Sequence, residues 1–502
     1  MSERPRAHTA EGAVQGRRRK GHAVFRGIPY VRPPVGRLRF REPAPVEGWQ
    51  GTRQAAECGP VVPQAGPTAE DSTGDDWLTL NVATPIVGAA GLPVLVWIHG
   101  GAYIAGTSAD PMYDPAALTE AGLVVVSVNY RVAVEGFAHI EGAPANRGLL
   151  DQIAALRWVQ RNIAAFGGDP DRVTVAGQSA GAGSIAALLT MERARGLFRR
   201  AIAHSVPGLM ATRDPAREVA AALAARVGTV PDVEALSGIA PSRLAGELTA
   251  LGADLAAHRN RWGRLAGIGV AVCPVLDGEV LPETPWQALA GGRANGIELL
   301  VGHTRDEFRL FSVMTGRLGT YTEDETRTAL DLFAPTPDGP DAYRRAHPTA
   351  TPEELLELVY SDALFRMPSL HLAQANRAAG GTSFLFELRL AAPAGGGLLG
   401  ACHSLDVPLA FGTLDSPAGR HFFGDRPTAE ISTVSRELRR AWTRFVTTGN
   451  PGWPGHEADR GLTRVLDVDS TTVPYPEAVS RRIWEGHDPA PLDLVRTRTI
   501  RP

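Results

Sequence analysis

Two apolar segments rich in β-branched residues constrain the fold of this chain more than any other feature. Residues 92–98 (LPVLVWI) and 123–129 (LVVVSVN) are typical of strands that are buried on both faces of a sheet. Helical periodicity follows at 149–165, a further short strand is predicted at 172–176, and a helix of small residues at 180–191. Alternation of strands and helices at this spacing predicts an α/β fold built on a parallel sheet.

The rest of the chain adds helices rather than further domains. No internal repeat and no low-complexity linker divides residues 1–502, so we predict a single domain. Two segments, roughly 214–257 and 323–379, are rich in Ala, Leu, Arg and Glu and show helical periodicity without a strong strand. We expect both to be helical insertions that form a lid or side wall beside the sheet.

Charge balance and cysteine number exclude several classes of function. The chain has 51 Lys and Arg against 54 Asp and Glu, a net charge of −3, so no basic excess is available to bind nucleic acid or an anionic membrane. Its three cysteines are widely spaced and predict neither a zinc site nor a disulfide framework. We therefore expect no metal or organic cofactor.

Two observations concern membranes and compartment. The longest stretch without a charged residue, 77–109, is interrupted by several Gly and Pro residues, which a bilayer-spanning helix would rarely carry. The first twenty residues lack the apolar core of a secretory signal. We expect a protein that binds no membrane and is cytoplasmic, and its oligomeric state stays open.

A candidate nucleophile stands in the segment GQSAG at residues 177–181, which fits the pattern G-x-S-x-G. The pattern alone is weak, but here it joins a β-branched strand to a helix of small residues, where a nucleophile elbow belongs. Gly177 and Gly181 would leave room for a tight turn that exposes the hydroxyl of Ser179. The start of the following helix would then direct backbone N–H groups at a nearby anion.

A second glycine-rich segment, HGGAY at residues 99–103, follows the strand at 92–98 directly. Small residues allow backbone N–H groups to approach a developing oxyanion without interference from side chains. We expect Gly101 and Ala102 to donate from this loop and Ala180 to supply a third donor. A tight glycine turn without function would explain this loop alone, but less readily both segments in this order.

A serine nucleophile needs a base, and the base needs an acid that orients it. Nine of the 13 histidines follow Ser179 in the chain. The order nucleophile, acid, histidine favours a late histidine, but spacing alone does not select one.

The motifs together resemble the type B carboxylesterase family of α/β-hydrolases, which includes bacterial para-nitrobenzyl esterases. The similarity runs nearly end to end. It is carried by FRGIPY at 25–30, LRF at 38–40, FGGDP at 166–170, PVLDG at 274–278 and TGNP at 448–451.

This resemblance implies the α/β-hydrolase fold and a Ser-His-Glu triad. The family carries its acid in a segment like GHTRDE at 302–307, which assigns Glu307, and its base in one like GACH at 400–403, which assigns His403. Ser205 matches a family serine that supports the acid by a hydrogen bond. We interpret the neighbouring residues His204, His303, Asp306 and Asp406 as structural.

Four positions depart from the family pattern. Gln178 replaces the commoner Glu of the elbow, Ala102 stands where many relatives have a third glycine, and Trp77 replaces a cysteine of the first family disulfide. The fourth, Glu135, places a charge in a normally apolar stretch, and the sequence offers no account of it.

The resemblance predicts a serine hydrolase that cleaves small to medium carboxylic esters through an acyl-enzyme. A related acyl transfer on the same triad, as in a thioesterase, lactonase, carbamate hydrolase or transacylase, is the alternative. A catalytically silent, cholinesterase-like binding protein is disfavoured because all three triad residues are present.

Overall fold

The computed structural model describes residues 4–66, 74–88, 91–457 and 461–495. An eleven-stranded sheet crosses this part of the molecule, and a small three-stranded sheet lies beside it. The strands, in chain order, are β1 Arg6–His8, β2 Ala13–Gln15, β3 Arg17–Arg19, β4 His22–Pro29, β5 Thr52–Gln54, β6 Thr79–Thr84, β7 Leu92–Ile98, β8 Val124–Val128, β9 Gly168–Gln178, β10 Arg200–His204, β11 Glu298–Thr304, β12 Thr382–Leu388, β13 Leu462–Leu466 and β14 Thr471–Pro474.

The large sheet is parallel in its middle and antiparallel at both margins. Its strand order is β14-β13-β12-β11-β10-β9-β7-β8-β6-β4-β3. Every neighbouring pair from β8 to β13 is parallel, whereas β14, β6, β4 and β3 join antiparallel. The predicted parallel sheet is therefore confirmed, and its two apolar runs are the adjacent strands β7 and β8.

Helices connect the parallel strands, and several more lie in each of the two segments predicted to be helical. In chain order the α-helices are α1 Ala116–Glu120, α2 Ala133–Phe137, α3 Arg147–Asn162, α4 Ala180–Leu188, α5 Arg213–Arg226, α6 Val233–Ser237, α7 Pro241–Leu255, α8 Arg259–Trp262, α9 Arg264–Ile268, α10 Pro285–Ala290, α11 Arg309–Met314, α12 Glu323–Phe333, α13 Gly339–Ala346, α14 Pro352–Ser361, α15 Met367–Ala378, α16 Asp406–Phe411, α17 Pro417–Phe423, α18 Ala429–Thr448 and α19 Ala478–Ile483. A π-helical turn, Asp362–Arg366, joins α14 to α15.

Short 3-10 turns complete the secondary structure and explain where some helices stop. They span Gly36–Leu38, Pro111–Tyr113, Ile163–Phe166, Glu192–Ala194, Ala256–His258 and Ala394–Gly397. The helix predicted to reach residue 165 ends as an α-helix at Asn162 and continues as the turn Ile163–Phe166.

No helix in the described ranges is long and apolar enough to cross a membrane.

Two hydrophobic clusters cover the two faces of the sheet. On β7, Val94 and Val96 belong to one cluster, while Leu95 and Trp97 belong to the other. This alternation follows from the period of two along a strand. Because both faces are covered, the sheet is inaccessible to solvent at its centre, and only the ends of its strands can form a site.

The unexplained charge at Glu135 has a partner from the amino-terminal region. Both side chains are buried, and Arg39 Nη2 lies 2.6 Å from Glu135 Oε1. The same guanidinium donates to the carbonyl oxygens of Ser237 and Ile239. Arg39 also lies over the ring of Phe40. Through its hydrogen bonds, Arg39 connects the amino-terminal segment to α2 and to the end of α6.

Removal of the Glu135 charge is expected to destabilise the fold, because Arg39 would remain buried without a counter-charge. Glu135→Gln keeps the shape of the side chain and should lower the free energy of unfolding by about 3–5 kcal/mol. Urea unfolding followed by tryptophan fluorescence measures the change. Arg327→Gln, which disrupts an exposed ion pair with Asp324, is the matched control and should leave the unfolding midpoint unchanged. Equal midpoints for both variants would contradict a structural role of the buried pair.

Candidate active site

The site begins at the turn between β9 and α4, where Ser179 has φ 56° and ψ −125°. A Cβ on Gly177 would lie 2.7 Å from the carbonyl carbon of Gly181, and a Cβ on Gly181 would lie 2.1 Å from the oxygen of Ile98. Only glycine fits at both positions, since β7, β9 and α4 pack backbone against backbone there. The turn is fixed further by Ser179 N–H, which donates to the oxygen of His204 at 2.9 Å.

The loop after β7 runs beside this turn with an unusual backbone. Gly101, Ala102 and Tyr103 have consecutive positive φ angles of 118°, 53° and 63°. A Cβ on Gly101 would lie 2.0 Å from the oxygen of Ala105, so the first of these positions requires glycine. Ala102 and Tyr103 adopt the left-handed conformation as L-residues, which is strained and typical of functional sites.

The backbone N–H groups of Gly101, Ala102 and Ala180 are among those of these two segments that have no protein acceptor within the described chain. Ala180 is the first residue of α4, and the first N–H groups of a helix have no partner inside it. All three residues line the same cavity as Ser179. Their N–H groups are therefore available to a ligand atom.

A carboxylate and a histidine complete the arrangement from two later loops. His403 Nδ1 lies 2.5 Å from Glu307 Oε2. The other carboxylate oxygen of Glu307 accepts from Ser205 Oγ at 2.6 Å and from the N–H of Thr304 at 2.8 Å. Glu307 is fully buried. Because a carboxylate accepts, His403 carries its proton on Nδ1 and presents a lone pair on Nε2.

The structure brings every residue predicted for the site into one region. Ser179, His403, Gly101, Ala102 and Ala180 line one cavity. Behind this lining, Glu307 contacts His403 and accepts from Ser205, and Gly177 and Gly181 flank Ser179 in the turn. Each acts at the carboxyl end of a parallel strand, where open α/β sheets bind their ligands.

Sequence reasoning missed the side chains that surround His403. The imidazole lies 4.3 Å from the ring of Phe365 and 5.3 Å from that of Phe311, measured between ring centroids. Its Nε2 lies 3.0 Å from Nε2 of Gln178. The sequence marked Gln178 only as a departure from the family pattern and not as a contact of His403, and the two phenylalanines belong to helical segments that carry no motif.

The two histidines interpreted as structural, His204 and His303, form hydrogen bonds with side chains outside the predicted triad. His204 is buried, with Nδ1 2.7 Å from Asp406 Oδ2 and Nε2 3.1 Å from Trp442 Nε1. His303 Nε2 lies 3.0 Å from the Tyr475 hydroxyl, and burial, together with the charge of Arg366, lowers the pKa of His303 to about 4. These contacts match the structural interpretation of both histidines.

Two neighbours of the base are equally constrained. Burial alone would raise the pKa of Asp306, but hydrogen bonds from Arg305 and from the N–H of Ala401 outweigh burial and lower it. Burial, and the charge of Glu307 after it, raises the pKa of the Cys402 thiol. Cys402 is therefore a neutral thiol and offers no competing nucleophile at neutral pH.

The cavity itself has a volume of about 680 Å³ and a mostly apolar lining. One wall is aromatic, with Phe308 stacked on Tyr360 at 4.2 Å between ring centroids. Helices from both predicted helical segments contribute, α7 with Ala253 and α12 with Ala329 and Leu332. Within the described ranges, no group of three or more His, Cys, Asp or Glu side chains could hold a metal ion.

Known proteins resemble this chain over most of its length. Residues 3–460 match the carboxylesterase family. A para-nitrobenzyl esterase of Bacillus subtilis (strain 168) is 35% identical over 497 residues, which cover 94% of this chain and 97% of the relative. A phenmedipham hydrolase of Pseudarthrobacter oxydans is 34% identical over 492 residues, with the same two coverages.

Solved structures agree with these relatives. The crystal structure of a carboxylesterase of Geobacillus stearothermophilus superposes with a TM-score of 0.85 and 34% sequence identity. The superposition covers 96% of this chain and 100% of that chain. It confirms the predicted α/β-hydrolase fold.

The glycines of the elbow predict a test of its geometry. Gly181→Ala would bring a methyl group within 2.1 Å of the Ile98 oxygen, so α4 must shift away from β7 and carry Ser179 with it. Displacement by about 1 Å is expected to slow labelling of Ser179 by a fluorophosphonate about 100-fold. Gly246→Ala, in open space on α7, is the matched control and should label at the wild-type rate. Normal labelling of folded Gly181→Ala would show that the close approach is not needed.

Proposed function

This chain belongs to the carboxylesterase family and is a carboxylic-ester hydrolase, and we propose that it forms its acyl-enzyme on Ser179. His403 is the proposed general base and Glu307 the acid that orients it. The hydrogen bond between His403 Nδ1 and Glu307 Oε2, in a cavity that also exposes Ser179, is the observation that carries the assignment.

The proposed reaction has two steps. In the first, the Ser179 hydroxyl attacks the ester carbonyl carbon while its proton passes to Nε2 of His403. Collapse of the tetrahedral intermediate breaks the bond to the alcohol oxygen, which takes that proton from His403 and leaves. In the second step, water gives a proton to Nε2 of His403 and attacks the acyl carbon. Collapse of this second intermediate breaks the bond between the acyl carbon and Ser179 Oγ, which takes the proton back from His403, and the carboxylic acid leaves.

Glu307 and the backbone donors stabilise the charges that appear during both steps. The carboxylate fixes the proton on Nδ1 and offsets the positive charge of the imidazolium. The N–H groups of Gly101, Ala102 and Ala180 are proposed to bind the oxyanion, and loss of one such donor costs about 2.7–4 kcal/mol in comparable hydrolases. Ser205 holds Glu307 through its second oxygen.

The cavity supports uncharged, small to medium esters as the substrate class. Its lining is mostly apolar, and it offers space beyond the reacting atoms. Three charged residues line it, Arg259, Arg317 and Glu325, and two of them form an ion pair, with Arg317 Nη2 2.7 Å from Glu325 Oε1. An apolar acyl or alcohol group would replace water against this lining, which favours binding.

A related acyl transfer is the second candidate function. The 34% identical relative is a phenmedipham hydrolase, so phenmedipham belongs in the substrate panel beside oxygen esters and thioesters. A higher kcat/KM for phenmedipham or for thioesters than for matched oxygen esters would favour this alternative.

We also propose a cytoplasmic location. Cys58, Cys273 and Cys402 are all unpaired thiols, and unpaired cysteines without disulfides suit a reducing compartment. Fractionation of the native host, with the protein recovered outside the cytoplasmic fraction, would contradict this proposal.

Removal of triad side chains should separate their roles. Ser179→Ala is expected to lower kcat on para-nitrophenyl esters by about 10⁶-fold, and Glu307→Gln by about 10⁴-fold because the histidine loses its oriented tautomer. Ser205→Ala leaves Glu307 its bond to Thr304 and should cost roughly tenfold. Ser242→Ala, at the exposed start of α7, is the control. Full activity of Ser179→Ala would refute the assignment of the nucleophile.

Acyl-chain length gives a test of the substrate class. We expect kcat/KM on para-nitrophenyl esters to be highest for short to medium chains and to fall for palmitate, because the cavity holds about 680 Å³. Rates measured from acetate to palmitate with wild type and Ser179→Ala check this. A maximum at palmitate would indicate a lipase-like substrate class instead.

A further inference from the structure

The side chain of Gln178 contacts the base although the proposed reaction gives it no step. Its Nε2 lies 3.0 Å from His403 Nε2, and its Oε1 lies 3.2 Å from Ser404 Oγ. Gln178 is buried, and a Cβ on Gly100 would lie 3.2 Å from its Oε1. The carboxamide therefore fills the space between the histidine and the loop that carries the free N–H groups.

The direction of these hydrogen bonds follows from Glu307. Because the carboxylate accepts from Nδ1 of His403, Nε2 of the ring is a lone pair and needs a donor. The amide nitrogen of Gln178 is that donor. The amide oxygen then faces Ser404, whose hydroxyl donates to it. The chain Ser404, Gln178, His403, Glu307 is thus consistent in every donor and acceptor.

We infer that Gln178 is a positioning residue for the base. In the free enzyme its amide occupies the nitrogen that must later accept the proton of Ser179, and this nitrogen changes partner from Gln178 to Ser179 when substrate binds. The inference rests on the proposed function, because it requires His403 as the base.

The contact has a consequence for proton uptake by His403. An N–H donor on the lone pair stabilises the neutral ring, whereas protonated Nε2 would face the amide as donor against donor. A carboxylate at position 178 would have the opposite effect and stabilise the protonated ring. Glutamate has nearly the same shape as glutamine, so the substitution changes the charge and the hydrogen bond and little else.

Several charged groups belong to the segments around His403, and Arg259, Arg317 and Glu325 line the same cavity. Glu307 and Asp306 lie on the loop after β11, Arg309 begins α11, and Asp406 begins α16. The two aromatic rings on the cavity side are uncharged. All of these groups are the same in each variant of position 178, so a difference between the variants reports on that position.

The test is the pH dependence of kcat/KM on a para-nitrophenyl ester, together with the rate of Ser179 labelling by a fluorophosphonate at each pH. For Gln178→Glu we expect the acid limb of both profiles to move to higher pH by at least about one unit, with activity retained above it. Gln178→Met removes the donor without adding charge and should move the limb in the same direction by less. Circular dichroism establishes that each variant is folded.

Gln54→Glu is the matched control, since it makes the same chemical change on the exposed strand β5 and should reproduce the wild-type profile. Coincidence of the Gln178→Glu and Gln178→Met profiles with wild type would overturn the inference, as would an equal shift in Gln54→Glu. Failure of the proposed function looks different: wild type would then show no activity or labelling that depends on Ser179.

Discussion

The close approach of three backbones around Ser179 is the constraint on which the rest of the site depends. Gly177 and Gly181 leave no room for a side-chain atom between β9, α4 and the end of β7. Because these elements touch directly, the loop after β7 and the first turn of α4 present their free N–H groups beside the same serine. The strained φ of Ser179 is maintained by this packing, which illustrates how a rigid fold stabilises an unfavourable local conformation.

His403 comes from a distant part of the chain to line the same cavity as Ser179, and several contacts hold it and the segments around it. Glu307 binds the ring of His403. Asp306 accepts the N–H of Ala401 at 2.8 Å, and Asp406, just after the histidine, is bound to His204. His204 in turn accepts the N–H of Ser179 through its backbone oxygen. A continuous path of hydrogen bonds therefore links the loop of the base to the turn of the nucleophile, and it passes through residues that take no part in the chemistry.

How much of this molecule the sequence predicts depends on the range of each interaction. The strands β7 and β8 and the elbow are local patterns, and their positions follow from periodicity and from the glycines at 177 and 181. The choice of His403 among nine histidines does not follow from local pattern, and only the family resemblance assigned it. The partner of Glu135 is a residue 96 positions away, and the rings beside His403 come from separate helices. Such contacts are properties of the packed chain, so no window of sequence contains them.

The wall of the cavity shows how buried charge and an apolar site can occupy neighbouring positions. The π-helical turn Asp362–Arg366 presents Phe365 to the imidazole on one side. On the other side Arg366 lies 2.8 Å from Asp362 and 3.3 Å from Glu477, and it donates to the oxygen of Arg305 close to the acid loop. Burial and the neighbouring Glu477 raise the pKa of Glu387 in the same cluster to about 7. The same π-helical turn thus carries an aromatic ring that contacts His403 and, at its two ends, the oppositely charged and mutually paired Asp362 and Arg366.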